Sequence, residues 1–194
     1  MYNERTELLK SLSLAFGPTG CEGNVGELIY SVAEKYCDAC ATDKMGNFVF
    51  KIAPKVHTAH TKKVMLSAHM DEVALMINEI DSDGYLKFDT VGGIDCRVLC
   101  GRNVTVGDEN KKIKGVIASK AIHHQSADER KKATKVSDMY IDIGASSRED
   151  AEKYVDIGDF ATFDSDFVLF GKDERLVKCK ALDDRMGCVV LLEI

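Results

Sequence analysis

A histidine and an aspartate stand at the polar end of an apolar run. The run begins at Lys63 and closes with His69 and Asp71. This pattern predicts a buried strand with a site at its carboxyl end. Side chains two positions apart project to the same face of a strand. There, an imidazole and a carboxylate can both bind a metal ion, or the carboxylate can fix the tautomer of the imidazole. A His–Asp hydrogen bond without any metal is the third alternative.

Two adjacent aspartates form a second candidate motif. Asp183 and Asp184 lie where a predicted strand gives way to a helix, within the segment Lys180–Cys188. Two neighbouring carboxylates cannot both point the same way, so one can face a site while the other caps the helix or pairs with Arg185. A single carboxylate can bridge two cations about 3.5–4 Å apart, as in two-metal hydrolases. Capping of the helix by both aspartates is the simpler alternative.

The spacing of apolar residues predicts the elements that position these motifs. Residues 4–16 and 25–36 have the helical spacing of an amphipathic segment, and Gly17-Pro18 ends the first of them. Short alternating runs between turn residues predict a compact β-rich module over residues 72–164. The last residues, 186–194, predict a buried helix that lacks a cap, as if the chain were cut there.

Taken together, the motifs resemble those of the M42 metalloaminopeptidases, which include glutamyl and TET-like enzymes. Several separate motifs in the same order are more specific than any one of them. They run through essentially the whole chain and correspond to the N-terminal half of a family member. The segments are Phe16–Gly20, Asp43–Asn47, Ala68–Ala74, Val91–Asp95, Gly115–His123, Tyr140–Ser147 and Lys180–Cys188.

The resemblance implies a fold and a site. The fold is α/β, with an incomplete catalytic domain formed by residues 1–71 and 165–194 and an inserted β-rich dimerisation domain over residues 72–164. His69 is implied as a terminal ligand of one metal ion and Asp183 as the bridge between two. Asp71 is implied as the catalytic-site residue that orients His69. The cofactors implied are two divalent metal ions, zinc or cobalt.

The resemblance also implies peptide substrates and a homo-oligomer that builds from dimers towards a dodecamer. The family's Glu-Glu pair, a further Asp and a late His are missing from this sequence. We therefore expect the chain alone to bind zinc or cobalt weakly and to lack peptidase activity. Two alternatives remain: an inactive fragment that serves as an assembly module through its insert, and a glycosidase. A glycosidase needs two carboxylates that flank one bond, which adjacent aspartates would not do.

Composition narrows the functional classes. The 194 residues carry a net charge of −6 with both signs interleaved, which argues against a nucleic-acid-binding face. The sequence shows no apolar run long enough to span a membrane and no signal peptide. We therefore expect its seven cysteines to be free thiols in the cytoplasm. Cys37 and Cys40 have the spacing of half a zinc site, but no second pair follows. His123 and His124 lie in the predicted insert and are not expected to be ligands.

Overall fold

The computed structural model describes residues 3–56, 58, 60–108 and 111–194. The chain forms two compact units, one of Met1–Glu72 with Asp166–Ile194 and the other of Val73–Ser165. Helices predominate in the first unit and strands in the second, which confirms the α/β class. No helix in the described part of the chain has the length and apolar character needed to cross a membrane.

The helices and strands are numbered in chain order. The α-helices are α1 (Glu4–Leu14), α2 (Gly23–Ala33), α3 (Arg148–Ala151) and α4 (Leu182–Glu193). The strands are β1 (Ala39–Thr42), β2 (Phe48–Lys51), β3 (Ala74–Ile80), β4 (Leu86–Val91), β5 (Asn103–Gly107), β6 (Lys112–Ser119), β7 (Met139–Asp142), β8 (Phe160–Phe163), β9 (Val168–Phe170) and β10 (Leu176–Lys178).

Helices α1, α2 and α4 supply most of the core of the first unit. The side chain of Asn3 accepts a hydrogen bond of 2.8 Å from the backbone N–H of Thr6, which caps α1. The buried residues of this core are Leu9, Leu12, Val25, Ile29, Phe167, Cys188 and Val189. Burial of a leucine or isoleucine side chain contributes about 1.5–3 kcal/mol, so this core holds α1, α2 and α4 together.

The strand predicted over residues 63–71 is wrong. These residues have no strand conformation, and Val64 and Met65 are 80% and 90% exposed. Strands exist only where a neighbouring strand pairs with their backbone groups. Within the described residues, the first unit has only the antiparallel pairs β1–β2 and β9–β10, so no buried parallel sheet surrounds the run.

The second unit is a closed barrel with the strand order β3-β4-β7-β6-β5-β8. Apolar residues alternate along its strands, as at Val104 and Val106 of β5, and they fill the interior. Ser147 caps α3 and accepts a hydrogen bond from the N–H of Asp150.

Candidate metal centre

His69 lies between two carboxylates. Its Nδ1 is 2.9 Å from Oδ1 of Asp71, and its Nε2 is 3.0 Å from Oδ1 of Asp183, 114 residues further along the chain. The Asp183 side chain is 94% exposed and that of Asp71 33% exposed. The imidazole therefore lies between the partly buried carboxylate of Asp71 and the exposed carboxylate of Asp183.

The loop after α1 holds Asp71 in place. The hydroxyl of Thr19 donates a hydrogen bond of 2.6 Å to Oδ2 of Asp71. The backbone N–H of Glu72 donates to the carbonyl of Gly17 at 3.0 Å, and the N–H of Thr19 donates to the carbonyl of Glu72 at 3.3 Å. With one oxygen bound to Thr19, Asp71 presents its other oxygen to Nδ1 of His69. This arrangement orients the ring and fixes which nitrogen faces Asp183.

The two aspartates of the second motif have different partners. Asp183 faces His69, whereas Oδ1 of Asp184 accepts a hydrogen bond of 3.0 Å from the N–H of Gly187. Neither residue has helical φ/ψ angles, and the peptide bond between them is cis. A Cβ at position 187 would overlap the Asp184 carboxylate, so glycine is required for this close approach.

A buried ionic cluster lies behind the site. The side chains of Arg185, Glu72 and Lys180 are 0%, 3% and 8% exposed. Nζ of Lys180 lies 2.5 Å from Oε1 of Glu72 and donates to the carbonyl of Ala15 at 3.0 Å. Burial lowers the pKa of Lys180, and Glu72 opposes this effect. Buried charges persist only when they are paired, so the cluster fixes residue 72 relative to residue 180.

Arg185 ties the start of α4 to the end of α1. Its guanidinium donates to the carbonyl of Leu12, to that of Ala15 at 3.4 Å and to that of Gly17 at 3.4 Å. Its Nη2 also lies 3.9 Å from Oε1 of Glu72. One guanidinium thus contacts Glu72, which follows Asp71, and is itself part of α4, which contains Asp183.

The carboxylates also control protonation at the site. Partial burial lowers the pKa of His69, but the hydrogen bonds to Asp183 and Asp71 outweigh it, so the net pKa is raised. The hydrogen bond from Thr19 lowers the pKa of Asp71, and His69 adds to this effect. Asp71 is therefore ionised at neutral pH, and a proton on His69 is held more tightly than usual.

Two atoms at the site, Nε2 of His69 and Oδ1 of Asp183, have the spacing of two ligands of a divalent metal ion. When the Nδ1–H of His69 points at Asp71, the lone pair of Nε2 faces the Asp183 oxygen. Both of these atoms are then hydrogen-bond acceptors, so a proton or a cation must lie beside them. Their separation of 3.0 Å is close to the distance of about 3.3 Å between two ligands of a tetrahedral zinc ion. Within the described residues, no group of three or more His, Cys, Asp or Glu side chains could hold a metal ion.

The structure brings together the three residues singled out from the sequence: His69, Asp71 and Asp183. His123 and His124 belong to the barrel unit, where their rings form a pair with centroids 4.2 Å apart. Sequence reasoning missed Thr19, Glu72 and Lys180, and it offered an aspartate rather than Glu72 as the partner of Arg185. No local signal identifies these contacts, because Glu72, Lys180 and Arg185 lie among other charged residues in the sequence.

Comparisons with known proteins identify the family of the chain. The model of the family described as M42 glutamyl aminopeptidase matches residues 46–194. The curated relatives that the chain matches carry the names of aminopeptidases, several of them putative, and the chain spans about half their length.

Three solved structures share the fold. A TET aminopeptidase from Thaumarchaeota archaeon SCGC AB-539-E09 is 38% identical with a TM-score of 0.90, over 98% of this chain and 53% of that chain. The Pyrococcus horikoshii TET1 peptidase, which can assemble into a tetrahedron or a large octahedral shell, is 34% identical with a TM-score of 0.85, over 98% and 55%. A Thermotoga maritima protein described as an endoglucanase is 37% identical with a TM-score of 0.79, over 95% and 52%.

Proposed function

The chain belongs to the family of M42 glutamyl aminopeptidases, and from this premise we propose that it forms part of an enzyme that removes N-terminal residues from peptides with two divalent metal ions. The observation that carries the proposal is the 3.0 Å approach of His69 Nε2 to the exposed Asp183 carboxylate. A nitrogen lone pair and a carboxylate oxygen at this distance form half of a typical zinc or cobalt site.

Three residues have separate roles in the proposal. His69 would hold one metal ion, and Asp183 would be a ligand shared by both ions. Asp71 binds Nδ1 of His69, keeps the ring in the ligating tautomer and makes Nε2 a better donor. When bound, the metal ions supply a nucleophilic water at neutral pH and polarise the scissile carbonyl.

The buried cluster of Glu72, Lys180 and Arg185 keeps these ligands at their separation without touching the substrate. Its members flank the ligands in sequence, with Glu72 beside Asp71 and Arg185 two residues after Asp183. Cys188 adds a contact of 3.4 Å from its Sγ to the carbonyl of His69. Because these contacts are buried, we expect the metal ligands to be preorganised before any metal binds.

A glycosidase is the second candidate, because one matching structure is described as an endoglucanase. The carboxylates here do not suit it. Asp183 faces His69 while Asp184 is bound to the N–H of Gly187, so the pair does not flank a common bond. Glycosidases use two carboxylates about 5–10 Å apart on either side of the sugar.

Removal of metal distinguishes the aminopeptidase proposal from the glycosidase alternative. We expect that a full-length protein containing this chain releases N-terminal residues from peptides, and that a chelator abolishes the release until zinc or cobalt is returned. The 194-residue chain alone should give no release, since it offers two ligands and zinc usually requires three or four. Hydrolysis of a glucan that continues in the chelator, without peptide cleavage, would contradict the aminopeptidase proposal.

We further propose that the barrel unit, residues 73–165, mediates self-association. Its exposed apolar side chains include Val98, Ile122 and Ile157, at 58%, 68% and 65% exposure. The TET1 peptidase with the same fold forms large assemblies. Light scattering of the chain should give at least the mass of a dimer, and Ile122→Asp should lower it. A monomer at every concentration tested would refute the proposal.

A further inference from the structure

Cys37 and Cys40 lie side by side, and neither has a role in the proposed metal centre. Cys37 follows the short 3₁₀ helix Glu34–Tyr36, and Cys40 lies in strand β1. Their Sγ atoms are 3.6 Å apart, which is van der Waals contact between two sulfur atoms. Cys40 is exposed and Cys37 half-buried. The two thiols therefore differ in access to solvent while touching each other.

From this juxtaposition we propose that Cys37 and Cys40 form a reactive dithiol that is converted reversibly into an intramolecular disulfide by small disulfides of the glutathione type. A disulfide bond has a length of about 2.05 Å, so closure requires the two sulfur atoms to approach by side-chain rotation. All four residues of β1 are exposed, which leaves Cys40 open to a small disulfide.

The exchange proceeds in two steps that balance. The Cys40 thiolate attacks one sulfur of the small disulfide, and the other half leaves as a thiolate that takes up a proton. The Cys37 thiol then loses its proton and attacks the Cys40 sulfur, which releases the second half as a thiol. One small disulfide is reduced to two thiols, and one protein disulfide forms.

Burial raises the pKa of Cys37, and the hydrogen bond with Cys40 adds to this effect. The second step consumes the Cys37 thiolate, so it should accelerate as the pH rises. A metal site is the weaker use of this pair. Among the residues that the structure describes, no group of three or more His, Cys, Asp or Glu side chains could hold a metal ion, and zinc sites made of cysteines are normally four-coordinate.

The test uses the reduced 194-residue chain and oxidised glutathione, followed by alkylation of remaining thiols, digestion and mass spectrometry. The peptide that contains Cys37 and Cys40 should lose the mass of two hydrogens and carry no glutathione. Cys100 is the internal control, because it is exposed and its Sγ contacts the hydroxyl of Ser119 at 3.4 Å. Cys100 should retain a glutathione adduct.

The variant Cys37→Ser removes only the resolving thiol at a position that serine fills without strain. It should retain glutathione on Cys40, and Cys40→Ser should acquire little on Cys37. The proposal is overturned if the wild-type chain retains as much glutathione on Cys40 as Cys37→Ser does, or if neither cysteine reacts while Cys100 does. Circular dichroism of both variants establishes that they are folded.

Discussion

Replacement of Arg185 by methionine should lower the free energy of unfolding of the helical unit by about 1–3 kcal/mol, the usual effect of leaving a buried polar group without its hydrogen-bond partner. Methionine fills much of the same volume but donates no hydrogen bond. The carbonyl of Leu12 would lose its guanidinium donor, whereas that of Ala15 would keep Lys180 and that of Gly17 the N–H of Glu72. Glu72 would keep Lys180 as its remaining cation.

Urea denaturation followed by the helical signal in circular dichroism measures this effect, because α1, α2 and α4 belong to this unit. Arg5→Met is the matched control. Arg5 also forms an ion pair with a residue of α4, Glu193, but its side chain is 75% exposed. Exposed pairs contribute about 0–1 kcal/mol, so the control should unfold almost like the wild type. Equal losses in both variants would show that the buried cluster does not stabilise the unit.

Local patterns predicted the helices correctly. The leucines at positions 8, 9 and 12 repeat at helical intervals, and α1 ends at Leu14, just before the Gly17-Pro18 stop. Helix α2, Gly23–Ala33, likewise falls close to the predicted range 25–36. These elements depend on residues that are close in sequence, so they can be predicted from the composition and spacing of a short segment.

Features that depend on distant residues were not predictable in the same way. The apolar run at residues 63–71 has the composition of a strand, yet a strand needs a paired neighbour, and the described chain provides none. The Glu72–Lys180 pair joins residues 108 positions apart, and nothing in either local sequence identifies the partner. The closing contact of the barrel, between β3 and β8, is likewise a property of the whole unit.

The candidate site divides in the same way. The contact of His69 with Asp71 follows from their spacing of two residues, whereas the contact with Asp183 spans 114 residues. The family resemblance, rather than periodicity, suggested that the two motifs belong to one site. The position of Thr19 behind Asp71 could not be read from either motif, because it depends on how the loop after α1 folds back.

Asp183→Ala and His69→Ala should each reduce peptide turnover of a full-length protein by about a thousandfold or more. A catalytic metal contributes several kcal/mol to the transition state, and each loss of about 1.4 kcal/mol is tenfold in rate. Asp183 is 94% exposed and His69 55% exposed, so neither replacement should destabilise the fold appreciably. His60→Ala is the matched control, because His60 is exposed and lies outside the site.

Bound zinc and the release of N-terminal residues, measured together on wild-type, His69→Ala and His60→Ala proteins, test the metal centre most directly. We predict that the wild type and His60→Ala retain zinc and activity, whereas His69→Ala loses both and keeps its circular dichroism spectrum. A folded His69→Ala protein with full zinc content and undiminished turnover would contradict the assignment of the metal centre to His69 and Asp183.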